Sequence, residues 1–289
     1  NTFAQAKRPV LRKTAVLQAL AGGAPFRQAP VSIALEKGRT SSGGIELEAC
    51  LGCGDCATGC NHGAKDSLDV NLLRRAQLAG AKLYCEATVL RLEEDRPGGV
   101  RQGWVLQLTH TNEKLRQRQG PPMRLRAKEV ILAAGSYGST EILLRSRSAT
   151  LRFSGQLGHR FSANGDMMAA AYALEREVHC VANETVPPEA RGVGPTITGV
   201  IDLRGAAKDD KLSSCVIEDM AVPGPLKRVF EELYTTADAL RVLKKADGQT
   251  HPRPAGQADP CAVDPAKIDK SLLLAVMARD SASGRMELV

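Results

Sequence analysis

Val130-Ile-Leu-Ala-Ala-Gly135-Ser-Tyr-Gly138-Ser-Thr-Glu-Ile-Leu-Leu-Arg145 reads as three elements in succession. The apolar run 130–134 predicts a strand covered on both faces. Gly135 and Gly138 permit a tight turn, and Ser139 is placed to cap a helix carrying Ile142, Leu143 and Leu144. Strand, glycine turn and helix N-terminus together suit a phosphate or the edge of a cofactor. The spacing is matched equally well by a close helix–strand packing turn, because Gly-x-Gly-x-x-Gly is missing here and everywhere else in the chain.

Before this stretch the pattern is regular. Leu68, Leu72, Ala76 and Ala79 stand at helical spacing, with Asp66 or Ser67 as candidate cap and Gly80 as the stop. Strands are expected over 81–85, 87–92 and 103–109, with a turn at Gly98-Gly99 and a polar loop over 112–122 before a strand over 124–134. Helix, strand, antiparallel excursion and buried strand is the order of an α/β nucleotide-binding domain. Near the start, Val10, Leu11, Val16, Leu17 and Leu20 predict a surface helix closed by Gly22-Gly23.

After residue 157 the chain passes a polar, glycine-bearing loop, Asn164-Gly165-Asp166, into a strand over 167–174. Extended segments over 194–203 and 213–218 and a strand over 272–277 predict a second, sheet-based region. A helix with Leu226, Val229, Phe230, Leu233, Ala237 and Leu240 on one face interrupts it. A loop with Pro252, Pro254, Pro260 and Pro265 follows that helix, and a new strand opens at Arg285. The boundary between the two regions is set at 175/176.

A second stretch carries different chemistry. Cys50, Cys53, Cys56 and Cys60 place four of the chain's eight cysteines within eleven residues. Their intervals reproduce the spacing of bacterial ferredoxins, which makes these four the candidate ligands of an iron–sulfur cluster. Asn61 stands where those proteins usually carry proline. Unligated or redox-active thiols and zinc are the other readings, although structural zinc usually takes two cysteine pairs separated by a dozen or more residues. His62 is the one histidine beside the run, and a solvated loop residue is the simpler reading of it. His110, His159, His179 and His251 read as surface or packing residues, and Cys85, Cys180, Cys215 and Cys261 as small hydrophobes.

Composition bounds the rest. A chain of 289 residues, 43% hydrophobic, is long enough for one large domain or two smaller ones. No apolar run reaches the length of a transmembrane helix. The net charge of +7 comes with only 3% aromatic residues, so the stacking pattern of single-strand nucleic-acid binders is missing. Half the thiols sit in one patch of a long chain, unlike a disulfide scaffold, and this points to a reducing compartment, cytoplasmic rather than secreted. The chain begins at Asn1, so a targeting segment ahead of it is outside the sequence in view.

These pieces, in this order, resemble the glucose-methanol-choline flavoprotein oxidoreductases, in particular their bacterial cholesterol-oxidase-like branch. The resemblance rests on Cys53-Gly-Asp-Cys56, Gly59-Cys60-Asn61, Gly63-Ala64-Lys65, Leu68-Asp69, Asn71-Leu72, the 130–146 stretch, Leu157-Gly158, Phe161-Ser162 and Asn164-Gly-Asp166. Gly194-Pro-Thr-Ile-Thr198, Ile217-Glu218, Arg279-Asp280 and Gly284-Arg285 match more weakly.

The resemblance implies a Rossmann-like FAD-binding α/β domain over 1–175, with the cysteine run as an insertion, and an α+β substrate domain with an antiparallel sheet over 176–289. It implies FAD as cofactor, a small-molecule alcohol as substrate, and oxygen or a protein carrier as electron acceptor, with no nucleic-acid partner. It places Val89, through its backbone, near the adenine, Ala133, Ala134 and Gly135 against the FAD, and Asn164, Gly165 and Asp166 near the flavin or its entrance. The family's dinucleotide fingerprint is expected before Asn1 and its catalytic histidine after Val289, so the isolated chain is expected to be inactive. An iron–sulfur electron-transfer module and a catalytically dead binding relative are the alternatives.

Overall fold

The computed structural model describes residues 11–112, 114–115, 117–182, 192–204, 214–245 and 264–289; the side chains of 119 and 238–245 fall outside that description. The expectations for Val10, Ser213, His251, Pro252, Pro254, Pro260, Cys261 and the Leu240 side chain therefore lie outside the described residues.

In chain order the elements are α1 (Arg12–Leu20), β1 (Phe26–Gln28), β2 (Arg39–Thr40), β3 (Glu46–Leu47), α2 (Leu72–Leu78), β4 (Ala87–Asp95), β5 (Gly103–Asn112) and β6 (Gln117–Ala127). They continue as α3 (Gly135–Arg145), β7 (His159–Phe161), β8 (Met167–Ala171), β9 (Gly199–Asp202), β10 (Val216–Asp219), α4 (Lys227–Lys245), α5 (Pro265–Asp269), β11 (Leu272–Met277) and β12 (Gly284–Arg285). Contacts divide the chain into two units. One takes the described residues up to Ala79 together with Asn164–Arg279, and the other takes Gly80–Ala163 with Asp280–Val289.

The first unit is built on a five-stranded sheet in the order β1-β9-β10-β11-β8. Its ladders are antiparallel throughout. β1 and β8 come from before the expected 175/176 boundary and β9, β10 and β11 from after it, so the sheet draws strands from both sides of that point. Val178, Cys180, Val181, Val222, Ile268, Leu272 and Leu273 form the core with Val16 of α1 and Tyr234 of α4. Burying that apolar surface is the main favourable contribution to the unit's folding.

Helix α1 departs from the surface helix expected. Lys13, Thr14, Val16 and Leu17 are buried, and Lys13 is fully covered, as is Asp219 at the end of β10. The Lys13 ammonium donates to Asp219 Oδ2 at 2.7 Å, to Thr198 Oγ1 at 2.9 Å and to the Thr196 carbonyl at 3.3 Å. Asp219 also accepts the backbone N–H groups of Thr198 and Gly199, at 2.8 and 2.6 Å, and the Thr198 hydroxyl at 2.7 Å. Thr14 Oγ1 completes the group, 2.6 Å from Thr198 Oγ1. A buried charge is tolerated only when paired and hydrogen-bonded in this way.

Helix α4 packs only part of the stripe its sequence suggests: Phe230 lies against the core. Leu226, Val229 and Leu233 are exposed, whereas Tyr234 is buried. Phe230 meets Tyr234 edge-on at 4.4 Å, and Tyr234 stacks on Tyr172 at 4.9 Å. Rings at i and i+4 lie on one side of a helix and pack well together. Helix α2 has no buried residue and starts later than expected: Asn71 caps it, accepting from the Leu72 N–H, while its amide group donates to Asp66.

In the second unit β4, β5 and β6 form an antiparallel meander with β4 and β6 outermost. The expected loop over 112–122 is mostly strand, since β6 begins at Gln117. Helix α3 is tied to β4 by Ser146, whose buried hydroxyl donates to the Ile142 carbonyl at 2.6 Å and accepts the Leu92 N–H at 2.8 Å. β7 pairs with β12. The run 130–134 forms no strand: it has no ladder partner among the described residues, and Ile131 is 93% exposed. A strand needs a neighbour for its backbone groups. The α/β expectation is thus met only as antiparallel sheets with a few helices; the parallel pairing among the described residues is the isolated bridge Val181–Val222.

The Lys13–Asp219 group generates a prediction. Burial pushes the Asp219 carboxyl up, but the Lys13 ammonium and the bonds from Lys13 and Thr198 outweigh it and hold the group below the usual aspartate value. Its contribution to stability is present above the unfolded-state pKa, about 3.9, and is lost as pH falls through the lower folded-state value. Lys13→Met leaves the carboxylate buried without its cation and is expected to cost about 3–5 kcal/mol in urea unfolding at neutral pH. A loss below about 1 kcal/mol, the range of exposed pairs, would contradict the role given to the pair.

Candidate functional site

The cysteine run lies in the first unit and is held by backbone contacts along its length. Cys50 N–H donates to the Ala34 carbonyl at 2.9 Å, and Gly194 N–H to the Gly52 carbonyl at 2.8 Å. Asp55 Oδ1 accepts the Gly224 N–H at 2.7 Å. Gly54 adopts φ +93°, and a Cβ there would stand 2.7 Å from Val193 Cγ1. Glycine is required on both counts. At the far end, Ala64 N–H donates to Cys60 Sγ at 3.4 Å.

All four cysteines line one cavity of about 20 Å³ with Ile33, Gly54, His62 and Lys65. Burial pushes the thiols of Cys50 and Cys53 up. Cys50 also borders a second, mainly apolar cavity of about 90 Å³, walled by Leu11, Ile33, Leu35 and Pro195. The expectation of a metal centre at Cys50, Cys53, Cys56 and Cys60 is not met. Among the described residues no three histidine, cysteine, aspartate or glutamate side chains converge in a geometry that holds a metal ion. His62 is exposed at its rim.

In the second unit Ala133, Ala134 and Gly135 form the exposed entry to α3. Gly135 has φ +71°, with no atom within 4 Å of where a Cβ would stand. Ser139 acts from inside the helix: its hydroxyl accepts the Ala134 N–H at 3.0 Å. The first turn carries no acidic residue, so the helix start is open and favourable to negative charge. Val89 is half-buried on the outer strand β4, opposite Leu108 and beside an irregularity in register. The structure therefore puts Val89 and the 133–135 turn in one unit, where α3 is fastened to β4.

Asn164, Gly165 and Asp166 belong to the other unit. Asn164 and Gly165 have φ of +62° and +58°, and the Asn164 carbonyl accepts the Ala278 N–H at 3.1 Å. A Cβ at Gly165 would lie 3.2 Å from the Arg279 carbonyl carbon, so this turn rests on the backbone of 278–279. Asp166 is exposed. The Lys13–Thr198–Asp219 group carries no signature in the sequence, because neither a lysine next to an arginine nor an aspartate after a glutamate distinguishes a buried pair from a solvated one.

Residues 34–162 match the sequence model of the family described as GMC oxidoreductase. Cholesterol oxidase of Mycobacterium tuberculosis (strains CDC 1551 / Oshkosh and ATCC 25618 / H37Rv) is 29% identical over 168 residues, which are 53% of this chain and 28% of the relative. Cholesterol oxidase of Acinetobacter baumannii is 31% identical over 137 residues, 47% of this chain and 24% of the relative. The chain thus matches less than a third of the length of these relatives.

The close fit of Gly54 is open to measurement. Gly54→Ala meets both the left-handed backbone and Val193, and is expected to destabilise the protein by about 1–2 kcal/mol or more. An unchanged urea midpoint would show that the loop is not seated against Val193.

Proposed function

We propose that this chain is part of an FAD-dependent oxidoreductase that oxidises a CH–OH group, with a sterol-like alcohol as its substrate class. The observation that carries the reading is the family match over residues 34–162, a segment that contains both Val89 and the 133–135 turn. The relatives named cholesterol oxidase support the substrate class. In this reading the whole protein pairs a Rossmann-like FAD domain with a substrate domain on the antiparallel sheet.

The residues present suit the cofactor. Gly135 lets backbone approach a ligand closely, and the open start of α3 offers N–H groups to a pyrophosphate. Val89 offers backbone from an outer strand to the adenine, and the turn at Asn164, Gly165 and Asp166 borders the flavin or its entrance. Bound there, FAD supplies the acceptor for the hydride removed from the alcohol. The chain's part is to hold the cofactor and present the alcohol to it. Oxygen or a protein carrier takes the electrons onward, and the cytoplasm is the compartment that suits the thiol-rich composition. No described helix is long and apolar enough to cross a membrane.

The test uses protein expressed from the complete reading frame. Anaerobic cholesterol is expected to bleach its flavin absorbance, and readmitted air to restore it with release of hydrogen peroxide if oxygen is the acceptor. Protein that carries no flavin would overturn the reading, and bleaching only by a non-sterol alcohol would overturn the substrate class. The 289-residue chain alone is expected to lose FAD on gel filtration; flavin retained with measurable dehydrogenation would contradict that.

A further inference from the structure

The mainly apolar cavity beside Cys50 is walled entirely by residues of the first unit. Leu11, Leu35 and Pro195 are half-buried on its walls and Gln28 is exposed, so a small molecule can reach it from solvent, while Ile33 is buried. Several polar groups of the lining are already paired with their neighbours. The Thr14 and Thr198 hydroxyl oxygens stand 2.6 Å apart, and the Thr198 hydroxyl donates to Asp219 at 2.7 Å. The Gly52 carbonyl accepts the Gly194 N–H at 2.8 Å, and the Cys50 N–H donates to the Ala34 carbonyl at 2.9 Å. With these groups engaged, the lining offers too few of the about two to four polar partners that a buried water needs.

We propose that this cavity binds a short alkyl group, the apolar end of a small-molecule ligand. An apolar cavity of about 150 Å³ stays dry and accepts benzene. At about 90 Å³ this one suits a smaller group, about three to four carbons. Leu11, Ile33, Leu35 and Pro195 supply the apolar contact, and burying the alkyl group against them removes apolar surface from water. A polar group carried by the ligand stays at the mouth, where Gln28 is exposed. The occupant touches the start of α1, the Cys50–Gly52 stretch and the Gly194–Pro195 segment, so it stabilises their association by mass action. The proposal does not rest on the flavin reading, since none of the residues placed near FAD borders this cavity.

The 289-residue chain, without flavin, is titrated with 2-methylpropan-1-ol and, as a polar control with the same number of heavy atoms, propane-1,2-diol. The methyl resonances of Leu11, Ile33 and Leu35 are expected to shift saturably with the alcohol, and the diol to bind at least about tenfold more weakly. Leu35→Asn puts an amide on the apolar wall and is expected to weaken the alcohol at least about fivefold. Leu35→Met keeps the wall apolar and is expected to bind as the wild type does; urea unfolding of both variants reports whether they fold. An absence of saturable shifts, shifts scattered over both units, or equal binding of the diol would overturn the proposal. So would undiminished binding by folded Leu35→Asn protein, or the same loss in folded Leu35→Met protein.

Discussion

An ammonium and a carboxylate 2.7 Å apart, both withdrawn from water, fix the geometry of the first unit. Two charges in that setting gain little net stability by themselves, but each makes the other's burial tolerable, and neither can leave alone. Asp219 ends β10 and receives the backbone of Thr198 and Gly199 at the start of its neighbour β9, while Lys13 brings a helix from early in the chain onto the same point. Because Lys13 also holds the Thr196 carbonyl, the segment before β9 is pinned. Val193 and Gly194 lie on that segment, and they seat Gly54 and Gly52 of the cysteine loop. The position of the four thiols thus depends on a pair far from them in sequence.

Much of the sheet was legible from residue type and spacing. Strands β4, β5, β8, β9, β10 and β11 fall within or across the expected segments, and Gly80 closes α2 where a left-handed residue was needed. These signals are local: apolar alternation, a glycine after the last helical turn. Lys13 was illegible because its burial is decided by Asp219, 206 residues away. The stripe on α4 misled for a related reason: of its described positions Phe230 packs against the core, while Leu226, Val229 and Leu233 stay exposed and Tyr234, outside the stripe, is buried. The run 130–134 has the composition of a covered strand, yet pairing rather than composition makes a strand, and the described residues offer it none.

The candidate site was legible to different depths. The family order of motifs located the segment that matches GMC oxidoreductase, and the glycine at 135 stands at the left-handed entry to α3 that its place in the sequence suggested. The ferredoxin-like spacing of the cysteines brings all four to one void, but no group placed to hold a metal ion is found among the described residues. Spacing states which thiols are near along the chain; the loop that carries them is held at Ala34, Val193, Gly194 and Gly224, all outside the run in sequence. What remains is a set of half-buried thiols whose chemistry follows from exposure and hydrogen bonding.

The claim that the Gly135 turn carries the cofactor joins structure to function most closely. Its direct measurement is the FAD dissociation constant of protein from the complete reading frame, wild type against Gly135→Asp. That substitution places a carboxylate and a Cβ at the open, positive-φ entry to α3, where there is space for the side chain but a pyrophosphate would meet its charge. The account predicts a loss of affinity of at least about tenfold, roughly 1.4 kcal/mol, with the far-ultraviolet circular dichroism unchanged. Equal affinity in the two proteins would contradict it.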